Sequence, residues 1–279
     1  YWTFDGKDMI PNARDVSGQG NHGNLIGFTS TTTAIGKLGQ ALKFNGTNQY
    51  VDVPYTNTNF ERTDPFSFSV WAKSNSSNAS RSFIGRFTSK GIFFGQCITA
   101  YSYFCNANSA YFWLYGGTGH NMLTMSTATG SVSPNVWTHV TVTYDGSSTP
   151  GGVKIYVNGV SMALITQDNG LTTTVKPGVN WRIGDDYTND WFGGSMDDLR
   201  IYNRALSAGE VSALYKMGAA KFAVSPVNAL TKGLVGYWTF DGKDTNWGTN
   251  KTNDLSGQGN TGTMTSMSTT TSPVPGKIG

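Results

Sequence analysis

Charge is scarce in this 279-residue chain, and its longest apolar runs are only as long as a strand. Charged residues make up 13% of the sequence, the formal net charge is +3, and no lysine or arginine cluster stands out. Nucleic-acid binding therefore has little electrostatic support, and no stretch is long enough to insert into a membrane. Glutamate is nearly absent, since Glu61 and Glu210 are the only two. Glycoside hydrolysis needs two carboxylates flanking the scissile bond, and so few glutamates argue against a retaining glycosidase. We predict that the chain is not an enzyme.

Cysteine is also rare, with one pair and no second pair that would suggest a zinc site. Cys97 and Cys105 lie on what the pattern predicts to be two arms of a hairpin, residues 93–99 and 103–105. A disulfide between them would fit an oxidising compartment. The alternative is a pair of free, half-buried thiols.

Histidine occurs three times, at scattered positions. His139 follows Trp137 on a predicted strand, and the sequence offers it no nucleophile or carboxylate partner of the kind that catalysis requires. We expect a structural role for His139. His22 and His120 lie in glycine-rich loops and are expected to be exposed.

Glycine is abundant, at 35 residues, and aromatic residues reach 13%. This composition is typical of all-β proteins with many turns and unlike that of disordered chains. Residues 66–72 alternate with a period of two and predict a half-buried strand. Asn45-Gly46 and Asn158-Gly159 are turn signals between alternating segments. The sequence therefore predicts an all-β, two-sheet antiparallel jelly-roll sandwich.

One short helix is predicted near the C-terminal end of this β pattern. Ser207 and Glu210 have the spacing of a capping box, in which Ser207 begins the helix. Val211 and Leu214 then form an apolar stripe, and Gly218 ends the helix. We expect it to pack on the sandwich.

The opening of the chain is repeated. Residues 237–244 are identical to residues 1–8, and residues 254–262 repeat 15–23 with two changes. The offset is too long for a solenoid unit and fits one domain plus a linker. We therefore divide the chain into a domain at 1–218, a linker at 219–232 and the truncated start of a second copy at 233–279.

The ordered set of motifs across residues 1–218 resembles the laminin-G-like (concanavalin A-like) jelly-roll domains of bacterial surface and secreted proteins. The resemblance implies an extracellular or cell-surface location, a role in carbohydrate or protein adhesion and, in many members, a structural calcium ion. Hydrolases of this fold commonly carry a Glu-x-Asp-x-x-Glu strand, which this sequence lacks. The segments that carry the resemblance are YWTFDG (1–6), DVSGQGNHG (15–23), ALKFNG (41–46), FSVW (68–71), WTHV (137–140), IYVNG (155–159) and FGGSMDDLRIYNRALS (192–207).

Four residues are candidate calcium ligands. Asp5, Asp15 and Asn21 flank or lie in the first glycine-rich loop, and Asp197 is expected to precede the last strand, which the family fold places beside the first one. Calcium prefers carboxylate, amide and carbonyl oxygens, and an ion there would tie the beginning of the domain to its end. The alternative is that the aspartates form turns and accept hydrogen bonds from neighbouring amides.

Aromatic residues in polar loops are candidates for sugar binding, because such rings stack on sugar faces beside hydrogen-bonding groups. The candidates are Tyr101, Tyr103, Tyr187 and Trp191, with Tyr55 as a further one. They could instead cover sheet edges or fill the core.

Taken together, these features favour a non-enzymatic extracellular adhesion or surface-structure domain, stabilised by calcium and binding glycans or surface proteins. A carbohydrate-binding module is one alternative. Another is a filament subunit that binds neighbouring copies of itself by strand exchange through 233–279. The boundary at 279 is equally compatible with an arbitrary cut in a longer tandem-repeat protein.

Overall fold

The structure of the chain is a computed structural model. The structure describes residues 1–9, 12–28, 33–56, 58–75, 80–100, 104–219, 245–246, 248–254, 256 and 258–265. The chain divides into two compact units, Tyr1–Ala220 and Lys221–Gly279. Within the described residues no helix is long and apolar enough to cross a membrane. The predicted linker lies outside the described part, apart from Ala219, which ends a helix.

The alternating segments form strands, as their period of two predicts. In the first unit these are β1 (Asn24–Ile26), β2 (Thr33–Ile35), β3 (Gln40–Asn45), β4 (Tyr50–Val53), β5 (Phe66–Ser74), β6 (Ser80–Phe87), β7 (Gly91–Cys97), β8 (Ser109–Gly117), β9 (Asn121–Thr127), β10 (Thr138–Tyr144), β11 (Val153–Val157), β12 (Val160–Ser161), β13 (Leu164–Asn169), β14 (Trp181–Ile183) and β15 (Gly193–Tyr202). Two 3-10 helices, Gly6–Asp8 and Pro150–Gly152, and the α-helix α1 (Ala208–Ala219) complete the unit.

These strands make two antiparallel sheets that face each other across one core. The first sheet has eight strands in the order β1-β4-β14-β6-β7-β8-β9-β13, and the second has seven in the order β12-β11-β10-β5-β15-β3-β2. Phe94 and Phe112 from the eight-stranded sheet meet Phe66 and Phe68 from the seven-stranded sheet in the core, where all four side chains are fully buried. The predicted jelly-roll sandwich is confirmed.

The beginning and the end of the domain lie side by side. The amide of Trp2 donates to the carbonyl of Leu199 at 2.9 Å, and the amide of Leu199 donates back at 3.1 Å. Both side chains are buried in the core. This reciprocal pair closes the sandwich, as the family resemblance implied.

Helix α1 begins and packs as predicted. The Ser207 amide donates to the Glu210 carboxylate at 2.9 Å, and the Glu210 amide donates to the Ser207 hydroxyl at 3.3 Å, which is the capping-box arrangement. Val211 and Leu214 pack with Tyr156 on the outer face of the seven-stranded sheet.

The prediction that residues 66–72 are half buried is wrong, because both faces of this segment are buried. The outward side chains are covered by the chain after β15 and by α1. The Ser67 hydroxyl donates to the Arg204 carbonyl and accepts from the Leu206 amide, and Trp71 stacks on Tyr215 with the ring centroids 5.6 Å apart.

Two further details differ from expectation. The second arm of the cysteine hairpin is β8, so Cys105 precedes that strand instead of lying in it. Strands β9 and β13 were not predicted, because their serine, threonine and asparagine residues resemble those of a loop.

The second unit is described through three short strands, β16 (Thr245–Asn246), β17 (Lys251–Thr252) and β18 (Gly262–Thr263), which form one antiparallel sheet. Its segment 237–244, identical in sequence to residues 1–8, lies outside the described residues.

Candidate functional site

The outer face of the eight-stranded sheet carries a half-buried group of aromatic and charged side chains. Because side chains alternate along a strand, Val51, Val53, Trp181 and Ile183 face the core while their neighbours on β4 and β14 face outward. The outward group, called here the Arg182 cluster, consists of Tyr50, Asp52, Arg182, Tyr187 and Trp191, each partly exposed. On the opposite sheet helix α1 and the chain leading to it bury Trp71 and Tyr156, whereas the rings of the Arg182 cluster are partly exposed.

Arg182 organises the cluster. Its guanidinium carbon lies 3.6 Å from the centre of the Tyr187 ring and 4.2 Å from that of Tyr50. Its Nη1 donates to Asp185 at 2.7 Å. Burial alone would lower the pKa of Arg182, but the hydrogen bond to Asp185 and nearby negative charge raise it above its usual value. The arginine is therefore held charged and in one position.

Trp191 and the remaining polar groups extend the cluster along the sheet. The rings of Tyr50 and Trp191 are 5.8 Å apart and tilted by 40°. Asn180 donates to Asp52 at 2.7 Å and accepts from the Tyr187 hydroxyl through its carbonyl at 3.1 Å. The structure thus brings together two of the predicted sugar-binding residues, Tyr187 and Trp191.

The loop after β14 lies over β6 and places two carboxylates in the interior beneath the cluster. Asp185 and Asp186 are both fully buried, and each has one carboxylate oxygen with no hydrogen-bond partner among the described residues. Burial, with Asp190 nearby, raises the pKa of Asp186 to about 7, although its other oxygen accepts from the amide and hydroxyl of Thr188. The loop is fixed to β6 by the Ser82 amide, which donates to the Asp190 carbonyl at 3.1 Å.

A second aromatic group lies on the same outer face, around β7 and β8. In this Trp113 cluster, Trp113 packs between Phe93 and Phe104, with ring centroids 5.5 and 4.8 Å away, and Phe87 contacts Tyr115. A disulfide joins Cys97 to Cys105 beside the cluster, with their Cα atoms 6.2 Å apart. Tyr101 and Tyr103, which lie between the two cysteines in sequence, are outside the described residues.

Tyr55 lies elsewhere. It is partly buried and packs against the core between the sheets, so it does not join either aromatic cluster on the outer face.

Two of the candidate calcium ligands, Asp5 and Asp197, hold the same turn before β3. The Oδ1 atom of Asp5 accepts from the Gln40 amide at 2.8 Å, and the Oδ2 atom of Asp197 accepts from the Lys37 and Leu38 amides at 2.7 and 2.8 Å. Gly39 has a φ of +66°, and a β-carbon there would lie 2.4 Å from the Asp5 carboxylate. The carboxylate of Asp5 therefore packs so closely on Gly39 that the turn has no room for a side chain there.

The other two candidates, Asp15 and Asn21, belong to a separate loop. The Asp15 carboxylate accepts from the Ser17 and Asn21 amides, both at 2.9 Å, so Asn21 contributes its backbone there. Burial would raise the pKa of Asp15, but the hydrogen bonds from Ser17, the Tyr1 nitrogen and Asn21 lower it. In the second unit Asp254 accepts from the Ser256 and Asn260 amides at 2.8 and 2.9 Å, which is the same arrangement.

Among the described residues, no three or more histidine, cysteine, aspartate or glutamate side chains form a group that could hold a metal. One atom nevertheless suits a cation, because Oδ1 of Asp197 is buried and has no hydrogen-bond partner in this part of the chain. Burial, together with the negative charges of Asp198 and Asp5, raises the pKa of Asp197 to about 8 despite its two amide donors. The calcium site predicted at Asp5, Asp15, Asn21 and Asp197 stays a prediction.

His139 lies beneath helix α1, away from the outer-face clusters. Its Nε2 atom is 2.9 Å from the Ser69 hydroxyl, and its ring packs on Trp71 at 5.2 Å. Ser69 is 1% exposed and also accepts a hydrogen bond from Thr141. The serine and histidine are closed off by the helix, so this pair belongs to the packing of the fold.

Both glutamates also hold loops in place. Glu61 accepts from the Thr174 hydroxyl and the Val175 amide, and Glu210 pairs with Arg204 while capping α1.

The comparisons with known proteins agree with this architecture. The family model described as the concanavalin A-like lectin/glucanases superfamily matches residues 45–212, which is more than half of the chain. No curated protein sequence matches the chain significantly.

Several solved structures share the fold. Domain 4 of AbnA, a GH43 extracellular arabinanase from Geobacillus stearothermophilus in complex with arabinotriose, is 20% identical, covers 77% of this chain and 96% of its own, and has a TM-score of 0.55. The binding domain of Paraclostridial Mosquitocidal Protein 1 is 19% identical over 73% of this chain, and that of botulinum neurotoxin serotype G is 17% identical over 74%, with TM-scores of 0.55 and 0.56.

This chain spans about half the length of those two toxin domains, 49% and 48% respectively. At these identities the solved structures show a shared fold, whereas the family model matches the sequence itself. The chain belongs to the concanavalin A-like lectin/glucanases superfamily.

Proposed function

We propose that this domain is a carbohydrate-binding module whose glycan lies on the Arg182 cluster, and that it serves extracellular adhesion. The observation that carries the proposal is the set of partly exposed rings of Tyr50, Tyr187 and Trp191 around a fixed arginine, on the face that α1 leaves open. Aromatic surfaces with a few placed polar groups are the chemistry that sugar sites use.

The charges around the cluster favour a neutral glycan. Asp52, Asp185 and Asp190 lie around the single cation Arg182, whose guanidinium is already paired with Asp185, while the buried Asp186, whose pKa is raised to about 7, adds only partial negative charge at neutral pH. A sialic acid or uronic acid would meet this excess of negative charge and find no unpaired arginine in the cluster to bind it. Like charges in a poorly solvated site repel strongly, so neutral oligosaccharides are the expected ligands.

The comparisons support the class of ligand. Domain 4 of AbnA was solved with the neutral sugar arabinotriose, and the toxin relatives are binding domains. These solved structures support the class of ligand only through the shared fold. The kind of glycan proposed for this chain is inferred from the charges of the Arg182 cluster.

The test is a glycan array that includes neutral arabino- and galacto-oligosaccharides beside sialylated and uronate-containing ones, followed by calorimetry on the best ligand. Trp191→Ala and Tyr187→Ala should each weaken binding about tenfold or more, which corresponds to about 1.4 kcal/mol per substitution. Val160→Ala is the matched control, because Val160 is 65% exposed on the other sheet and should leave the affinity unchanged.

If both aromatic variants kept the wild-type affinity, the glycan would have to bind somewhere other than the Arg182 cluster. Preferential binding of acidic glycans would contradict the electrostatic argument. Binding of a surface protein, with no glycan bound on the array, would replace the sugar by a protein partner.

A further inference from the structure

Three oxygen atoms beneath the Arg182 cluster are buried and have no hydrogen-bond partner among the described residues. They are Oδ1 of Asp185, Oδ2 of Asp186 and Oγ of Ser82. The three residues are each 0% exposed. Nearly all buried polar groups in folded proteins have a partner, so each of these atoms requires an explanation, and a bound ion is one.

The strands bring these side chains together on the outer face of the eight-stranded sheet. Gly85 of β6 lies opposite Arg182 of β14, and Arg182 in turn binds Asp185. A β-carbon on Gly85 would lie 2.4 Å from the Cβ atom of Asp186 and 3.2 Å from the Ser82 hydroxyl oxygen. The side chain of Asp186 therefore fills the space that the glycine leaves open, and it does so beside Ser82.

Negative charge exceeds positive charge around these oxygens. Besides burial, the charges of Asp190 and Asp185 raise the pKa of Asp186, so the carboxylates lie close enough to repel one another. The one cation in this described cluster is Arg182, and its guanidinium is paired with Asp185. A buried carboxylate is costly unless a positive charge or hydrogen bonds compensate it. A further positive charge would remove this cost.

We propose that Asp185 and Asp186, together with the Ser82 hydroxyl, bind a divalent metal ion of the oxygen-preferring class, calcium or magnesium. Carboxylate oxygens are the ligands that both ions take in proteins, and water completes their coordination. The Oδ2 atom of Asp185 accepts from Arg182, whereas its Oδ1 atom is left for the ion. One carboxylate thus joins the ion to the Arg182 cluster. This site is separate from the calcium site predicted at the first glycine-rich loop.

The ion lies beneath the proposed glycan surface, but its binding does not depend on a glycan. With the ion in place, the four carboxylates of Asp52, Asp185, Asp186 and Asp190 face three positive charges, one from Arg182 and two from the ion. One net negative charge remains. The expected preference for neutral glycans is therefore the same with and without the ion.

Calorimetry and terbium luminescence on the full chain test the site. The parent protein carries Asp197→Asn, so that the other predicted site does not contribute. Calcium alone, magnesium alone or both should bind to this parent with one ion per chain. Terbium occupies calcium sites and emits light when a neighbouring aromatic ring absorbs, and Tyr187 and Trp191 lie in the same loop as the aspartates. Terbium emission should therefore appear, and an excess of the bound divalent ion should abolish it.

Asp186→Asn in this parent is the decisive variant, because it keeps the shape of the side chain and removes the charge. It should weaken binding of the ion about tenfold or more, since ligand charge sets the affinity of such sites. Ser82→Ala should weaken binding less. Asp168→Asn is the matched control, because Asp168 lies on β13 of the same sheet, where it pairs with His120, and it should bind the ion like the parent.

Thermal unfolding in a chelator shows that the variants are folded. Asp186→Asn should be at least as stable as the parent there, because a buried charge has been removed, and the ion should raise Tm of the parent but not of the variant. Absence of ion binding in the parent, or equal binding by the parent and Asp186→Asn, would overturn the proposal. A proton on Asp186 would then be what reduces the excess negative charge.

Discussion

His139 offers a direct test of how the helix-covered face contributes to stability. Its ring is 1% exposed, its Nε2 pairs with Ser69, and its Nδ1 has no hydrogen-bond partner among the described residues. Burial lowers the pKa of His139 from 6.5 to about 4, while Asp198 opposes and Arg200 adds to this shift. The folded state therefore resists the protonation that the unfolded chain accepts.

Whether the folding stability rises or falls with pH depends on which state, folded or unfolded, binds more protons at His139. Between pH 6.5 and 4 the unfolded state binds more protons at this residue than the folded state, so stability is lost as the pH falls. With these two pKa values, the loss at pH 5 relative to pH 7 is about 2 kcal/mol, and it approaches about 3 kcal/mol below pH 4. Asp197 and Asp186 act in the opposite direction, because their pKa values are raised to about 8 and 7 and their protonation stabilises the folded state.

The assay compares urea unfolding of wild type and His139→Gln at pH 7 and pH 5. Glutamine can still pair with Ser69 but does not titrate, and the aspartate contributions are common to both proteins and cancel. Wild type should lose about 2 kcal/mol more than the variant between the two pH values. His120→Gln is the control, since the side chain of His120 is 85% exposed. Equal losses in wild type and His139→Gln would refute the burial argument.

Three further predictions concern the loops. Asp15→Ala should destabilise the first unit by about 2 kcal/mol in urea unfolding, because two backbone amides lose their acceptor; a change near zero would mean that water replaces it. Replacing Cys97 and Cys105 by alanine should cost about 2–3 kcal/mol by the loop-entropy estimate for an eight-residue separation, and an unchanged midpoint would show that the bond adds no net stability. Calcium should raise Tm by several degrees relative to a chelator if it binds at Asp5 and Asp197, and Asp197→Asn should remove that contribution; no shift in wild type would leave both residues as turn formers.

Local patterns were sufficient for most of the fold. The capping pair Ser207 and Glu210 and the turn at Asn158-Gly159 depend on neighbours in sequence, and both appear where the pattern places them. Strand β9 was not predicted although Leu123 and Met125 alternate with threonine and serine, because these polar residues are also typical of loops. The burial of the threonine and serine depends on what covers the sheet and leaves no sign in the sequence.

The Arg182 cluster could be predicted only in part. Tyr187 and Trp191 stand out because they lie in a polar loop. Tyr50 and Arg182 are separated by more than a hundred residues and meet because β4 pairs with β14. Their outward position on two strands was visible from the alternation, but strand order is needed to bring them together. Which two residues meet across a sheet depends on the order of the strands in that sheet. The residue pattern within one strand does not contain this order.

The two outer faces of the sandwich differ in a way that favours binding at the Arg182 cluster. On the seven-stranded sheet, Trp71 and Tyr156 are 2% exposed because α1 and the chain leading to it cover them. On the eight-stranded sheet the rings around Arg182 remain partly exposed. The arginine itself is already held by Asp185 and by the rings of two tyrosines. Fixing an arginine costs about 1.5–2 kcal/mol of side-chain entropy, and that cost is met during folding. A ligand arriving at a surface already ordered in this way loses less freedom on binding, so the arrangement suits recognition of a glycan better than it suits stability alone.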